Sequence, residues 1–238
     1  MSAARHRRRV PPTAPSAYLA SVATRLLPLF PLPLVLFPGV RVPLHVFEPR
    51  YRALLVDRLA ADRRFGIVST IPGLAERALP VGRVGCVAHV EENEPLPDGR
   101  SNIVVRGTER FALRRFVDDA APYHVAEVAT YDDEPESRIA VDLVADELRA
   151  VFARVVRVVH ADRSDAVRAL PDDGANVAFA IAAMIDLDVV ARQRILESRS
   201  ALARSRELHA LLQQAVEMME VRAAVREARE DRAPGLEA

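Results

Sequence analysis

Leu27 to Leu55 reads LPLFPLPLVLFPGVRVPLHVFEPRYRALL, and its prolines decide how so apolar a stretch can fold. Pro28, Pro31, Pro33, Pro38 and Pro43 each lack a backbone N–H and have a fixed φ, so no continuous helix crosses the run and it is not a membrane span. What remains is an extended piece, a tight turn at Pro38-Gly39, and a second extended piece. A helix then opens at Pro49, a residue suited to a first helical turn.

The 238 residues, half of them apolar, can bury a real core, and their number allows one domain or two. Basic and acidic residues balance at 33 each. That balance argues against a general polyanion binder, because nucleic-acid affinity rests largely on a net basic surface. Every basic residue is Arg and none is Lys. This excludes a phosphate-binding G-x-x-x-x-G-K-[ST] loop, a lysine Schiff base and a Ser-Lys dyad within the chain. The single Cys86 leaves no intramolecular disulfide and no multi-cysteine metal site, which fits a reducing, cytoplasmic setting.

Residues 1–25 begin with Arg5, His6, Arg7, Arg8 and Arg9 and continue through Pro11, Pro12 and Pro15. They read as a disordered leader rather than a signal peptide, because Arg25 and the prolines interrupt the apolar stretch that a signal would need. From residue 26 to 133 short strand-like runs alternate with turn signals. Phe65–Thr70 and Val81–Val90 are two such runs, with Gly82 and Gly85 marking a bulge or a close backbone approach. Pro97-Asp98-Gly99 is a turn, since Pro presets φ and Gly accepts a positive one. Three further strands are expected over Asn102–Arg106, Arg110–Val117 and Tyr123–Tyr131, the first two separated at Gly107.

From 134 to 230 the pattern turns helical, and 231–238 reads as a flexible tail. The acidic knot Asp132, Asp133, Glu134 and Glu136 is placed at the start of a long helix, where carboxylates favour the positive end of the dipole. Ile139, Leu143, Leu148, Val151, Phe152, Val155 and Val159 give that helix an apolar stripe. Gly174–Ile185, Val189–Ser198 and a last helix from Ser200 to about Arg229 complete a small bundle.

Taken in order, LPLFPLPLVLFPG, PLHVFEPRYRALL, FGIV and VGRVGCVAHVEENEPLPDGRSNIVVRGTERFALRRF resemble the Lon substrate-binding domain family, the N-terminal module of Lon proteases that also occurs as a stand-alone protein. The ordered pair L-F-P-G…L-x-V-F-E-x-R-Y and P-D-G-R…G-x-x-R-F is more specific than either part, and the resemblance spans about residues 26–225. It implies an α+β architecture, a PUA-like β-barrel lobe followed by an α-helical bundle lobe, and a role in recognising protein substrates or partners. A Lon protease continues with ATPase and Ser-Lys protease modules, both of which need lysines. The chain is therefore expected to be non-enzymatic, with no catalytic residues and no cofactor.

Candidate sites are few. Phe47, Glu48, Pro49, Arg50 and Tyr51 could form a recognition surface, since Arg and Tyr are enriched at binding hot spots, yet Glu48-Pro49 also makes a good helix start. Cys86 and His89 lie three apart on a strand and point to opposite faces, so they make no joint metal site. His45, His124, His160 and His209 are scattered. Gly99–Ile103 lacks the second glycine of a nucleophile elbow. Asp142 with Asp146, and Glu217 with Glu220, read as solvated helix faces. The loop Ser69–Pro80, with Ile71 and Leu74 in a connection between strands, is the most attractive partner-binding segment, alongside Arg50 and Tyr51. The leading expectation is an adaptor that binds exposed polypeptide through loops or a groove between the lobes. The alternative is a nucleic-acid-binding module using the PUA-like barrel, disfavoured by neutral charge, the absence of Trp and no interleaving of basic with stacking residues.

Overall fold

Pro38-Gly39 forms the expected turn, with Gly39 at φ 77°, in a computed structural model that describes residues 23–159 and 164–230. Strands β1 (Thr24–Leu32) and β2 (Arg41–Val46) flank it, and helix α1 (Pro49–Leu59) opens with Pro49 in its first turn. Glu48 stands at the cap position but its side chain makes no cap hydrogen bond. Its carboxylate binds Arg50 Nε at 2.9 Å instead. The leader, up to Val22, and the tail from 231 lie outside the described residues.

Four more strands follow: β3 (Arg64–Ser69), β4 (Val84–Pro95), β5 (Ser101–Val117) and β6 (His124–Thr130). The six form one sheet in the order β2-β5-β4-β3-β1-β6. Neighbours are antiparallel except β1 and β3, which run parallel with β2 and α1 in the crossover between them. The PUA-like β-barrel expected from the resemblance is corrected to this mixed six-stranded sheet, in which the far half of β5 also pairs with β6. Strand count and turn signals do not determine how a sheet ends, and the length of β5 does: its first half serves β2 and its second half β6.

The two expected strands on either side of Gly107 are one. Gly107 is not a break but a point of close approach, where an added Cβ would lie 2.1 Å from the Phe37 carbonyl oxygen. Gly107 donates its N–H to Val40 and accepts from Gly39, which ties the β1–β2 turn to mid-β5. Both faces of the sheet are apolar. Phe65, Ile67, Cys86, Ala88 and Val90 face a cluster with Tyr51, Leu54 and Leu55 of α1, while Val68 and Val87 face a second cluster with Leu29, Phe111 and Val128. This is the period-two alternation of strand side chains.

The helices are α2 (Arg138–Val159), α3 (Ser164–Arg168), α4 (Gly174–Met184), α5 (Val189–Glu197) and α6 (Ala201–Glu230). Asp173 caps α4 through Ala175 N, and Asp188 caps α5 through Ala191 N. The acidic knot does not serve the helix that follows it, whose first turn holds no acid. Glu136 reaches the start of α6 instead, accepting from Ser200 Oγ at 2.5 Å and Leu202 N at 3.2 Å. The dipole argument holds, but for a helix more than sixty residues away.

Asp133 from the same knot joins sheet to helices. It accepts from Arg110 of β5, and from Arg204 of α6 through Nη1 at 2.7 Å and Nη2 at 2.5 Å. Arg110 also donates to the Leu196 and Ser198 carbonyls at 2.8 and 2.7 Å, and Arg204 to Ala175 at 2.6 Å. The helical core takes in Val35, Phe37 and Val84 from the sheet side, with Phe37 stacked on Phe179 of α4.

Removing Asp133 would leave two guanidiniums buried without a counter-charge. Asp133→Ala is expected to lower the unfolding free energy by about 2–4 kcal/mol, discounted from the full buried-pair cost because Asp133 is partly solvated. Urea denaturation followed by circular dichroism checks this; a loss below about 0.5 kcal/mol, the range of ordinary surface changes, contradicts it.

Candidate functional site

The segment from Thr70 to Pro80 is anchored at a 3-10 turn, Glu76–Ala78. Glu76 receives Arg50 of α1 in bidentate fashion, Nη1 at 2.6 Å and Nη2 at 2.9 Å, and lies 2.7 Å from His124 Nε2 of β6. Arg77 bonds Asp118 at 2.6 Å and lies over the Phe116 ring. Leu79 is buried and Ile71 packs against the same cluster. The tip, Pro72 to Ala75, is therefore presented from a fixed base, with Gly73 at φ 78° and Leu74 40% exposed.

The residues singled out from sequence fare differently. Arg50 and the loop come together through Glu76, a contact across 26 positions. Tyr51 is only 2% exposed, its ring 3.9 Å from that of Phe30, so it supports the surface from within. Ser69 is equally buried at the end of β3, where its carbonyl accepts from Arg83. Leu74 is the exposed member and Ile71 a half-buried one. Phe47 is exposed and stacks with His45.

The other candidates take ordinary structural places. Cys86 is fully buried, its thiol pushed up to about 12 by burial, and is no nucleophile. Among the described residues no cluster of His, Cys, Asp or Glu could hold a metal ion. His160 lies outside those residues. Asp142, Asp146 and Glu220 pair with Arg138, Arg149 and Arg154 on helix surfaces.

The sequence led to the expectation of a groove between the lobes but named no residue of one, and the structure shows two concave surfaces around α4. A groove of about 850 Å³ runs between α2, α3, the end of α4 and α6, lined by Phe152, Val155, Ala166, Met184, Leu211 and Met219 among others. A second, of about 620 Å³, lies between the β1–β2 turn and α4, with Val40, Arg41, Arg106, Ala180, Ala183 and Met184 in its walls. Met184 lines both and is 45% exposed. An unbranched thioether at such a junction adapts to varied apolar partners. The available signal was α4 itself, which is apolar apart from Asn176 and ends at Met184.

Residues 26–214 match the family described as the ATP-dependent protease La (LON) substrate-binding domain. Lon protease 2 of Herpetosiphon aurantiacus is 33% identical over 213 residues, which take in 84% of this chain and 25% of that protein. Lon protease of Roseiflexus castenholzii is 28% identical over 200 residues, 82% of this chain and 25% of that one. The chain thus spans about a quarter of the length of the curated relatives it matches. The crystal structure of a Lon N-terminal domain protein from Xanthomonas campestris superposes with a TM-score of 0.57 at 27% identity, covering 78% of this chain and 98% of that one. The N-terminal domain of a Mycobacterium avium complex Lon protease superposes at 0.61 with 18% identity, covering 79% and 98%, which shows the likeness of fold.

Burial works against the Glu76 carboxylate, but the hydrogen bonds from Arg50 and His124 outweigh it and hold its pKa below the ordinary value. A carboxylate depressed in the folded state contributes stability that is present above its unfolded pKa and lost as pH falls through the folded one. Glu76→Gln is expected to cost about 1–2 kcal/mol at pH 7, the scale of a charge-assisted hydrogen bond in a half-buried setting. The gap should close as pH drops below about 4.3, the unfolded glutamate value. Urea melts of both proteins at several pH values test it; a gap independent of pH contradicts the assignment.

Proposed function

This chain belongs to the ATP-dependent protease La (LON) substrate-binding domain family, and on that premise we propose that it is a non-catalytic recognition module that holds exposed segments of other polypeptides beside α4. The family supports substrate recognition in general, and the matched portion is domain-sized. The observation that carries the reading is the 850 Å³ groove, in which Asp186 is the one charged residue among twelve lining residues. Open apolar concavities of this kind are poor places to leave in water unless something fills them.

Groove binding is favoured over strand addition. β2 ends the strand order and is the free edge of the sheet, but Pro43 at its middle removes a backbone donor from the row that an added strand would need. The loop tip at Leu74 and the Arg50 anchor form a second, smaller contact surface in this proposal, while Tyr51 and Ser69 hold it from below. We take residues 26–133 and 134–230 as the two lobes, with the second groove between them. No helix among the described residues is long and apolar enough to cross a membrane, and the lone buried thiol of Cys86 supports a cytoplasmic place of action.

The test uses a labelled protein that has been reduced and alkylated so that it cannot refold, compared with its native form. The unfolded form is expected to bind at micromolar concentration and the native form not. Leu211→Asp places a charge on the exposed groove wall and should weaken binding at least about tenfold, equivalent to about 1.4 kcal/mol, with little change in the thermal melt. Equal binding of both forms, or of neither, contradicts the proposal.

A further inference from the structure

The chain's sulfur is carried by one cysteine and four methionines. Cys86 is fully buried in the sheet, and Met1 lies outside the described residues. The other three methionines come together in space. Met184, at the end of α4, and Met219 of α6 both line the groove of about 850 Å³, and Met218 stands beside Met219 in the chain without being part of the lining. Met184 is 45% and Met218 58% exposed, and Met219 is half-buried. Among the described residues, then, all the sulfur that water can reach lies in this groove or one residue from it.

The rest of the lining decides what oxidation would do there. The ten other residues are apolar except Asp186, whose ionised carboxylate only accepts hydrogen bonds, so no side chain in the wall offers a donor. A peroxide transfers one oxygen atom to a thioether: the S–O bond forms as the O–O bond breaks, the sulfur gives up two electrons, and the peroxide leaves as water or an alcohol. The product turns a flexible apolar side chain into one that carries a strong acceptor. In the open groove that oxygen is hydrated. An apolar occupant would strip the water away and leave the oxygen without a partner, which opposes binding.

We propose that Met184 and Met219 are reversible oxidation sites, converted by peroxide to sulfoxides, and that their oxidation closes the groove to apolar polypeptide. The proposal rests on the reading of this groove as a polypeptide-binding site. Reversal needs a methionine sulfoxide reductase, whose dithiol removes the oxygen as water and becomes a disulfide. Met218 is the built-in control, since it is exposed to the same oxidant but has no place in the wall.

The full chain is treated with hydrogen peroxide and freed of it, and oxidation at each methionine is read by peptide mass spectrometry. Binding of the reduced and alkylated polypeptide is then followed by fluorescence anisotropy. Sulfoxides at Met184 and Met219 are expected to weaken binding by about tenfold or more, the scale of burying one unpartnered polar group, with the circular dichroism spectrum unchanged. Reductases for both sulfoxide epimers, supplied with dithiothreitol, should restore it. A chain carrying Met184→Leu and Met219→Leu, swaps of similar volume, should bind before and after peroxide alike, whereas Met218→Leu should stay sensitive. Four results would overturn the proposal and leave the polypeptide-binding reading standing: binding unchanged with both methionines oxidised, a loss that persists in the double variant, a loss accompanied by unfolding, or failure of Met184 and Met219 to oxidise where Met218 is converted. An untreated chain that binds no unfolded polypeptide overturns both.

Discussion

One carboxylate shared by two buried guanidiniums holds the sheet and the helices in register. Arg110 leaves β5 and Arg204 leaves α6, both nearly inaccessible to water, and both end on Asp133 in the link after β6. Burial lowers the pKa of Arg110, Asp133 raises it again, and the neighbouring Arg204 opposes that recovery. A single carboxylate cannot neutralise two cations, and carbonyl oxygens supply the rest. The last carbonyls of α5, at Leu196, and the following Ser198 face Arg110, where the negative end of a helix dipole favours a cation. The ring of Phe179 lies 4.3 Å from the Arg204 guanidinium carbon and 5.5 Å from that of Arg110, adding a face that attracts both.

Such an arrangement is not the most stable way to fill the space, since well-packed apolar groups of the same volume often do as well or better. What it supplies is direction. An apolar contact between sheet and bundle tolerates sliding, whereas a bidentate fork tied to named carbonyls does not. Arg204 bonds the carbonyl of Ala175 in the first turn of α4, and Phe37 from the β1–β2 turn stacks on Phe179 one turn further along. These contacts set the angle at which α4 leaves the core, and hence where Met184 emerges between the two grooves. The geometry of the concave surface follows from a polar cluster roughly at the other end of the same helix.

The parts of this architecture that were legible from sequence are those decided locally. Pro38-Gly39 and Pro49 constrain φ wherever they stand, so the turn and the start of α1 follow from residue identity alone. Gly107 is the instructive failure. A glycine inside a strand pattern marks either an interruption or a close approach, and only the Phe37 carbonyl, seventy positions away in the chain, makes it the second. The acidic knot misled in the same way, because the dipole rule names a helix N-terminus without saying whose. Of the binding candidates, Arg50 was found for its residue type, but its partner Glu76 could not be, and Tyr51 shows that a residue enriched at interfaces is also one that fills a core. The grooves combine side chains from four helices and two strands, and no periodicity within one element announces them.

The arginine-only composition acquires a physical meaning in this light. Most of the described arginines are committed within the fold, to carboxylates such as Glu76, Glu91, Asp133 and Glu197 or to backbone carbonyls such as those of Ser69, Pro171 and Ile185. Lysine, with three donors on a compact head and no planar fork, could not reproduce the bidentate pairing of Arg204 with Asp133. A net charge of zero is therefore reached largely pair by pair rather than by opposing patches. A surface neutralised in this way exerts little long-range pull on charged partners. In the binding mode proposed above, selection among partners is left to short-range features, above all the apolar shape around Met184.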